Sequence, residues 1–114
     1  MKSYNVIGQS KGTDFPEKII LVGAHIDSWD LGDGAHDDGA GVVQCMEVLR
    51  LLKITNYKPK NTLRLVLFVN EENGGSGAKA YSEIISKKKE KHILALESDC
   101  GAFAPKGFIF DTGE

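Results

Sequence analysis

Short apolar runs alternate with amphipathic stretches along most of the chain, and this alternation constrains the fold more than any other feature. The runs EKIILVGAH (17–25), NTLRLVLFVNEE (61–72) and KHILALESD (91–99) have largely apolar centres, as strands covered on both faces do. Between them, residues 40–53 and 74–89 carry apolar side chains at three- and four-residue steps, which predicts helices. Strands alternating with helices predict an α/β fold with right-handed crossovers and a mostly parallel sheet.

Another apolar run, SYNVIGQS (3–10), precedes these elements. The segment KGTDFP separates it from EKIILVGAH, and its Gly, Asp and Pro predict an antiparallel hairpin with a long loop. That hairpin would make the sheet mixed. The segment KGFIFDTG (106–113) is a candidate for the start of a further strand. The first predicted helix carries one apolar face, formed by Val42, Cys45, Met46, Leu49 and Leu52.

The composition is that of one small globular domain. The 114 residues are 41% hydrophobic and 26% charged, with a formal net charge of −2, so the clustered basic surface that nucleic acids require is not expected. No apolar run approaches the roughly 20 residues of a membrane span, and a signal peptide is not expected in the first ten residues, which lack an apolar h-region. Cys45 and Cys100 form no CxxC spacing and are expected to be free thiols.

Acidic and imidazole side chains recur where the predicted parallel strands end, and an aspartate pair precedes the first long helix. These residues are His25, Asp27, Asp37, Asp38, Glu71, Glu72 and Asp99. In open α/β sheets, ligands bind in the crevice beyond the carboxyl ends of the strands. So many carboxylates in one crevice would repel each other unless a cation neutralised them. One imidazole among oxygen ligands favours zinc, with manganese or cobalt as substitutes, and a site this acidic fits two metals that share a bridging carboxylate.

The spacing within two pairs of these residues has further chemical meaning. Asp27 follows His25 by two residues, and where the chain turns at the strand end it can orient the imidazole from the side away from the metal. In the Glu71–Glu72 pair, one carboxylate can hold a metal while its neighbour faces the substrate as a proton acceptor. A phosphate-binding loop is a weaker interpretation of GDGAHDDGAG (32–41), because no Lys follows and its aspartates would repel phosphate. An EF-hand also fits poorly, since its alternating ligands and terminal Glu are absent.

Three segments carry a resemblance to a known family. GAHIDSWDLGDGAHDDGAG, RLVLFVNEENGGSGAKAY and ESDCGAFAPKGF resemble the co-catalytic zinc aminopeptidases and carboxypeptidases, and within them the carboxypeptidase Q group. The likeness runs from about residue 5 to the end of the chain. It implies a three-layer α-β-α, zinc-exopeptidase-like fold with a mixed, mostly parallel sheet. Residues 1–114 would be an N-terminal portion of a single catalytic domain, and the fold would therefore be incomplete.

The resemblance also implies a role for each motif residue. The implied metal ligands are His25, Asp37, Glu72 and Asp99, with Asp37 bridging two zinc ions and joined to Asp38 by a cis peptide bond. Glu71 matches the general base, and Asp27 matches the residue that orients His25. The implied reaction is hydrolysis of short peptides through a metal-bridging water. The parent protein is expected to be secreted or periplasmic, as members of this group are.

One departure from the family pattern changes what we expect of this chain. The family's second zinc also binds a histidine far beyond Asp99, and neither His36 nor His92 matches that position. We therefore expect one tight zinc site, one weak site and little or no peptidase activity. The alternative is a non-catalytic metal-binding or interaction domain that retains the peptidase fold. Because the chain ends soon after an apolar strand, we also expect a homodimer or swapped oligomer through an open sheet edge.

Overall fold

The computed structural model, which describes residues 2–99 and 102–110, contains four strands and two helices. The elements in chain order are β1 (Val6–Ser10), β2 (Phe15–His25), α1 (Gly39–Ile54), β3 (Asn61–Phe68), α2 (Ser76–Lys88) and β4 (Lys91–Glu97). The strands form one sheet in the order β1-β3-β2-β4. β2 runs parallel to both of its neighbours, whereas β1 is antiparallel to β3. The predicted mixed, mostly parallel sheet is therefore confirmed.

The predicted hairpin between the first two strands is wrong. β1 pairs with β3, from Val6 opposite Leu67 to Ser10 opposite Leu63, because both edges of β2 are already occupied by parallel strands. The β1–β2 connection crosses the amino end of β3 instead. There the Thr13 N–H donates to the Pro59 carbonyl oxygen at 3.0 Å.

Side chains alternate between the two faces of the sheet, and each face packs against one helix. The α1 face contains Ala24, Cys45, Leu65 and Leu67, flanked by Val22, Val42 and Leu49. The α2 face contains Leu21, Val66, Phe68 and Tyr81, flanked by Ile85. This is the predicted three-layer α-β-α arrangement. The spacing of Met46 predicted that it lies on the apolar face of α1, but its side chain is 54% exposed. The part of the helix surface that contacts the sheet is therefore narrower than the predicted apolar face.

β4 does not have the buried surroundings that its apolar sequence predicts. Leu94 is 54% exposed and Leu96 is 44% exposed, because β4 pairs only with β2 and its other edge is open among the described strands. The described part of the candidate final strand, residues 106–110, is not a strand, and residues 111–113 lie outside the described residues. No helix in the described ranges is long and apolar enough to cross a membrane.

Candidate metal centre

Three side chains from three separate segments converge at the carboxyl edge of the parallel strands. The Nε2 atom of His25 lies 3.0 Å from Asp37 Oδ1 and 3.7 Å from Asp99 Oδ1. One ligand atom from each residue can be chosen so that all of them lie within 4.8 Å of one another. The structure thus brings together three of the four side chains that were predicted from the sequence to be metal ligands.

Strand pairing accounts for this convergence. His25 is the last residue of β2 and is only 1% exposed. The Ile26 N–H donates to the Phe68 carbonyl oxygen at 2.8 Å, and the Ser98 N–H donates to the Gly23 carbonyl oxygen at 2.9 Å. These bonds keep all three parallel strands together to their ends, so Asp99 leaves β4 at the edge where β2 ends.

The His25 imidazole is oriented through its second nitrogen. Nδ1 lies 3.0 Å from the backbone carbonyl oxygen of Asp27 and 3.7 Å from the Asp27 carboxylate. Nδ1 must carry a proton to bond that carbonyl, so in the neutral ring Nε2 holds the lone pair that a metal ion beside Asp37 could bind. Asp27 therefore contacts the imidazole, and its backbone oxygen makes a shorter contact than its carboxylate.

The Asp27 carboxylate holds a different part of the site. Its Oδ1 accepts the Glu71 N–H at 3.0 Å, and its Oδ2 accepts the Glu72 N–H at 3.2 Å. These two amides belong to the loop between β3 and α2. Asp27 therefore ties the end of β2 to the backbone of the glutamate pair.

The two aspartates that precede α1 make different contacts. The Asp37–Asp38 peptide bond is cis, as the resemblance implies. Asp38 is the N-cap of α1: its Oδ1 accepts the Gly41 N–H at 3.0 Å, while Oδ2 accepts the His25 N–H at 3.1 Å. Asp38 is 1% exposed and supports both the helix and the histidine, whereas Asp37 directs its carboxylate to the imidazole.

The two glutamates lie close to this group without joining it. The Oε1 atom of Glu72 is buried and has no hydrogen-bond partner among the described residues. Burial, with a further contribution from the Asp37 charge, raises the pKa of Glu72. Glu71 is exposed. An unpartnered, desolvated carboxylate oxygen beside other carboxylates is the environment that a cation would stabilise.

Burial and neighbouring charges in the crevice also shift the pKa values of His25 and Glu97. Burial lowers the pKa of His25, but the hydrogen bonds to the Asp27 carbonyl and to Asp37, together with the charges of Asp38 and Asp99, outweigh burial and raise the pKa. The pKa of Glu97 is also raised, by burial first and then by the charge of Asp99. Sequence reasoning did not assign Glu97 to the site, although it stands two residues before Asp99 in the motif ESD. Its carboxylate adds to the negative potential of the crevice.

The donor set fits zinc. A tetrahedral zinc bound at about 2.1 Å separates its ligand atoms by roughly 3.4 Å, and the distances from His25 Nε2 to the two aspartate oxygens are 3.0 and 3.7 Å. One imidazole nitrogen with carboxylate oxygens is also a ligand chemistry that zinc accepts. Neither of the other histidines belongs to the described group of three.

The fold and this cluster define an α/β protein with a candidate metal centre, and comparison with known proteins identifies the family. Residues 5–114 match Peptidase family M28, and the chain belongs to that family. It is 46% identical over 112 residues to carboxypeptidase Q of Xenopus laevis, a match that covers 98% of the chain and 24% of the relative. The chain thus spans about a quarter of the length of the curated carboxypeptidase Q relatives that it matches.

Solved structures support the same assignment. A peptidase M28 precursor from Shewanella amazonensis is 44% identical and superposes with a TM-score of 0.78, covering 88% of this chain and 23% of the other. An aminopeptidase from Aneurinibacillus sp. strain AM-1 is 33% identical with a TM-score of 0.73, covering 84% and 24% of the two chains. The mixed sheet and its crossovers are therefore part of a recurring peptidase architecture.

Proposed function

We propose that this chain forms the zinc-binding part of an exopeptidase catalytic domain. The observation that carries the proposal is the convergence of His25, Asp37 and Asp99 at the carboxyl edge of the sheet. Membership of Peptidase family M28 supports it, as does the likeness to carboxypeptidase Q and to an aminopeptidase. Residues 1–114 would then be an N-terminal portion of one such domain.

In this proposal, His25, Asp37 and Asp99 hold the first zinc, and Asp37 and Glu72 hold the second. Bound zinc would supply Lewis acidity that activates water and polarises the substrate carbonyl. Asp27 orients the imidazole through its carbonyl oxygen and fixes the glutamate backbone through its carboxylate. With three protein ligands against two, the first site binds zinc more tightly than the second.

Glu71 is proposed as the general base. Its side chain is exposed, and its backbone is held by Asp27. A carboxylate in this position takes a proton from the attacking water and returns it to the leaving amine. The substrates would be short peptides with a free terminus, in keeping with the peptidase relatives.

Hydrolysis of dipeptides by the zinc-loaded chain tests this role. We expect slow cleavage at most, and we expect Glu71→Gln to abolish it while zinc binding persists, because the amide cannot accept the proton. Glu83→Gln, a change at an exposed position of α2, is the matched control and should retain whatever activity the parent chain has. Cleavage that survives Glu71→Gln would contradict the assignment of the base.

A non-catalytic metal-binding domain is the alternative function. The environments of the other two histidines favour it, because neither histidine supplies a further ligand. The His92 ring Nε2 lies 2.8 Å from the Tyr81 hydroxyl on the α2 face, and the His36 ring lies 5.5 Å from that of Phe103. Zinc binding without cleavage in either the parent chain or Glu71→Gln would support this alternative.

We also propose that the open edge of β4 pairs with a strand of a second copy of this chain. Ile93, Leu94 and Leu96 on this edge strand are between 44% and 54% exposed. Unpaired backbone groups beside exposed apolar side chains favour strand addition. Light scattering at tens of micromolar should then give a dimer mass, which Leu94→Lys should reduce; a monomer mass for the parent chain would contradict pairing.

A further inference from the structure

We propose that Asn5, which lies outside the crevice, is a positioning residue for the loop that carries Glu71 and Glu72. This inference rests on the proposed function, since it concerns the geometry of the proposed base and of a proposed ligand. The residue belongs to no motif. Its importance follows from the bonds that its side chain makes to the two ends of the loop.

The loop between β3 and α2 is a tight turn whose orientation depends on how its ends are held. Asn70, Gly74 and Gly75 have positive φ angles of 59°, 113° and 64°. The Gly75 N–H donates to the Asn70 carbonyl oxygen at 2.7 Å, and the Gly74 N–H donates to the Glu71 carbonyl oxygen at 3.1 Å. These internal bonds shape the turn, but they do not fix it to the rest of the molecule.

Asn5 fixes both ends with one amide group. Its Oδ1 accepts the Val69 N–H at 3.1 Å, immediately after β3, and its Nδ2 donates to the Gly77 carbonyl oxygen at 2.8 Å, in the first turn of α2. The partners are 64 and 72 residues away in sequence. Both bonds are partly buried, where a hydrogen bond contributes more than it does in water.

The two loop ends also contact each other directly beside Asn5. The Gly77 N–H donates to the Val69 carbonyl oxygen at 3.1 Å. A Cβ on residue 77 would clash with the Val69 carbonyl oxygen and would lie 2.5 Å from Asn5 Oδ1, so the close approach of this backbone and of the Asn5 amide requires glycine there. The N-cap of α2, Gly75, makes no side-chain capping bond, which leaves Asn5 as a side chain that secures this end of the helix.

The loop is thus held from two sides. On the crevice side, the Asp27 carboxylate binds the Glu71 and Glu72 amides; on the opposite side, Asn5 binds residues 69 and 77. With Asn5 removed, the loop would pivot on Asp27 and carry Glu72 away from Asp37. The group of His25, Asp37 and Asp99 would be unaffected, since Asn5 contacts none of these residues in the bonds described. An effect on Glu72 without an effect on the group of three would distinguish a positioning role of Asn5 from a general contribution to stability.

The test compares Asn5→Ala with Gln9→Ala in the full chain by NMR. Gln9 is the matched control, because its Oε1 accepts a bond from Arg64 Nε at 3.0 Å across the same strand pair, away from the loop. In Asn5→Ala we expect the Glu71 and Glu72 amides to exchange about five- to tenfold faster, the effect of losing one or two hydrogen bonds. Gln9→Ala should leave these rates unchanged.

Zinc titration of the same samples supplies the second readout. The zinc concentration at the midpoint of the shift of the Glu72 carboxyl ¹³C resonance should rise about tenfold in Asn5→Ala, as it does when other groups that orient ligands are removed. The midpoint for the His25 imidazole resonances should stay the same. Asn5→Asp keeps the acceptor for Val69 but places a carboxylate oxygen against the Gly77 carbonyl oxygen, so it should also weaken the Glu72 transition.

Two results would overturn the inference: unchanged exchange at Glu71 and Glu72 in Asn5→Ala, or equal weakening of the His25 and Glu72 transitions. Absence of any zinc-dependent shift at His25 in the parent chain would instead overturn the proposed function. In that case the exchange rates, which need no metal, would still decide whether Asn5 positions the loop.

Discussion

At the scale of single residues, Asp38 shows how the site and the fold depend on the same groups. Its buried carboxylate caps α1 through the Gly41 amide and holds the His25 amide. Burial raises its pKa, and the same two hydrogen bonds oppose that shift. The residue next to the candidate bridging ligand is thus a structural support that is almost fully buried.

Asp38→Ala should lower the free energy of unfolding by about 2–3 kcal/mol, because it removes an N-cap and leaves two buried amides without an acceptor. Urea denaturation followed by circular dichroism measures this loss. Asp30→Ala, at an exposed position of the neighbouring loop, should change the midpoint little. Equal midpoints for the two variants would contradict the structural role of Asp38.

Cys45 gives a second test at this scale. Burial raises the pKa of its thiol to about 11, and its Sγ donates to the Gly23 carbonyl oxygen at 3.2 Å. In a Cys100→Ser background, Cys45 should react with Ellman's reagent far more slowly in the native chain than in urea, because the thiolate is the reactive form. Equally rapid labelling in both conditions would contradict its burial.

The sequence predicted which residues meet at the site better than it predicted which atoms meet. The acidic and imidazole residues at strand ends indicated that His25, Asp37 and Asp99 lie together, and they do. The spacing of Asp27 could not show that its carbonyl oxygen, rather than its carboxylate, makes the shorter contact with the imidazole. Asn5 gave no signal at all, because its partners lie more than 60 residues away.

At the scale of elements, local patterns predicted helices and strands but not all of their pairings. The turn residues between β1 and β2 favoured a hairpin, yet β1 pairs with β3. Turn chemistry acts over a few residues, whereas the choice of a strand's neighbour depends on which edges remain open after the parallel core of the sheet has formed. The same reasoning explains why the apolar side chains of β4 are partly exposed. An apolar sequence predicts a strand, but it does not show which neighbouring elements cover that strand.

Contacts between α2, β3 and β4 form a polar network on the face opposite α1. Arg64 Nη1 donates to the Tyr81 hydroxyl at 3.0 Å and pairs with Glu90, and the Tyr81 hydroxyl lies 2.8 Å from His92 Nε2. Arg64 is always a donor, so the Tyr81 proton is free to point to a neutral His92. Burial and the Arg64 charge lower the pKa of His92 below 6.5.

His92 should therefore make stability depend on pH. Since its pKa is lower in the folded than in the unfolded chain, its contribution is fully present above pH 6.5 and is lost as pH falls through the folded pKa. His92→Phe, which keeps a ring beside Tyr81, should reduce the loss of unfolding free energy between neutral pH and about pH 5. Denaturation curves that retain the same pH slope would contradict this account.

At the scale of the whole molecule, the alternation of strands and helices was sufficient to predict the layered α/β architecture. The crossovers between parallel strands place successive strand ends at one edge, which explains why residues far apart in sequence reach one crevice. The family assignment covers residues 5–114, while the chain spans about a quarter of its carboxypeptidase Q relatives. The first proposed zinc site lies wholly within the described residues.

Calorimetric titration of the metal-free chain with zinc tests the central claim most directly. We predict one tight zinc in the parent chain, loss of that binding in His25→Ala, and its retention in His36→Ala, where an exposed histidine beside Asp37 is removed. Binding by His25→Ala that equals that of the parent chain, or no zinc binding by the parent chain, would contradict the account.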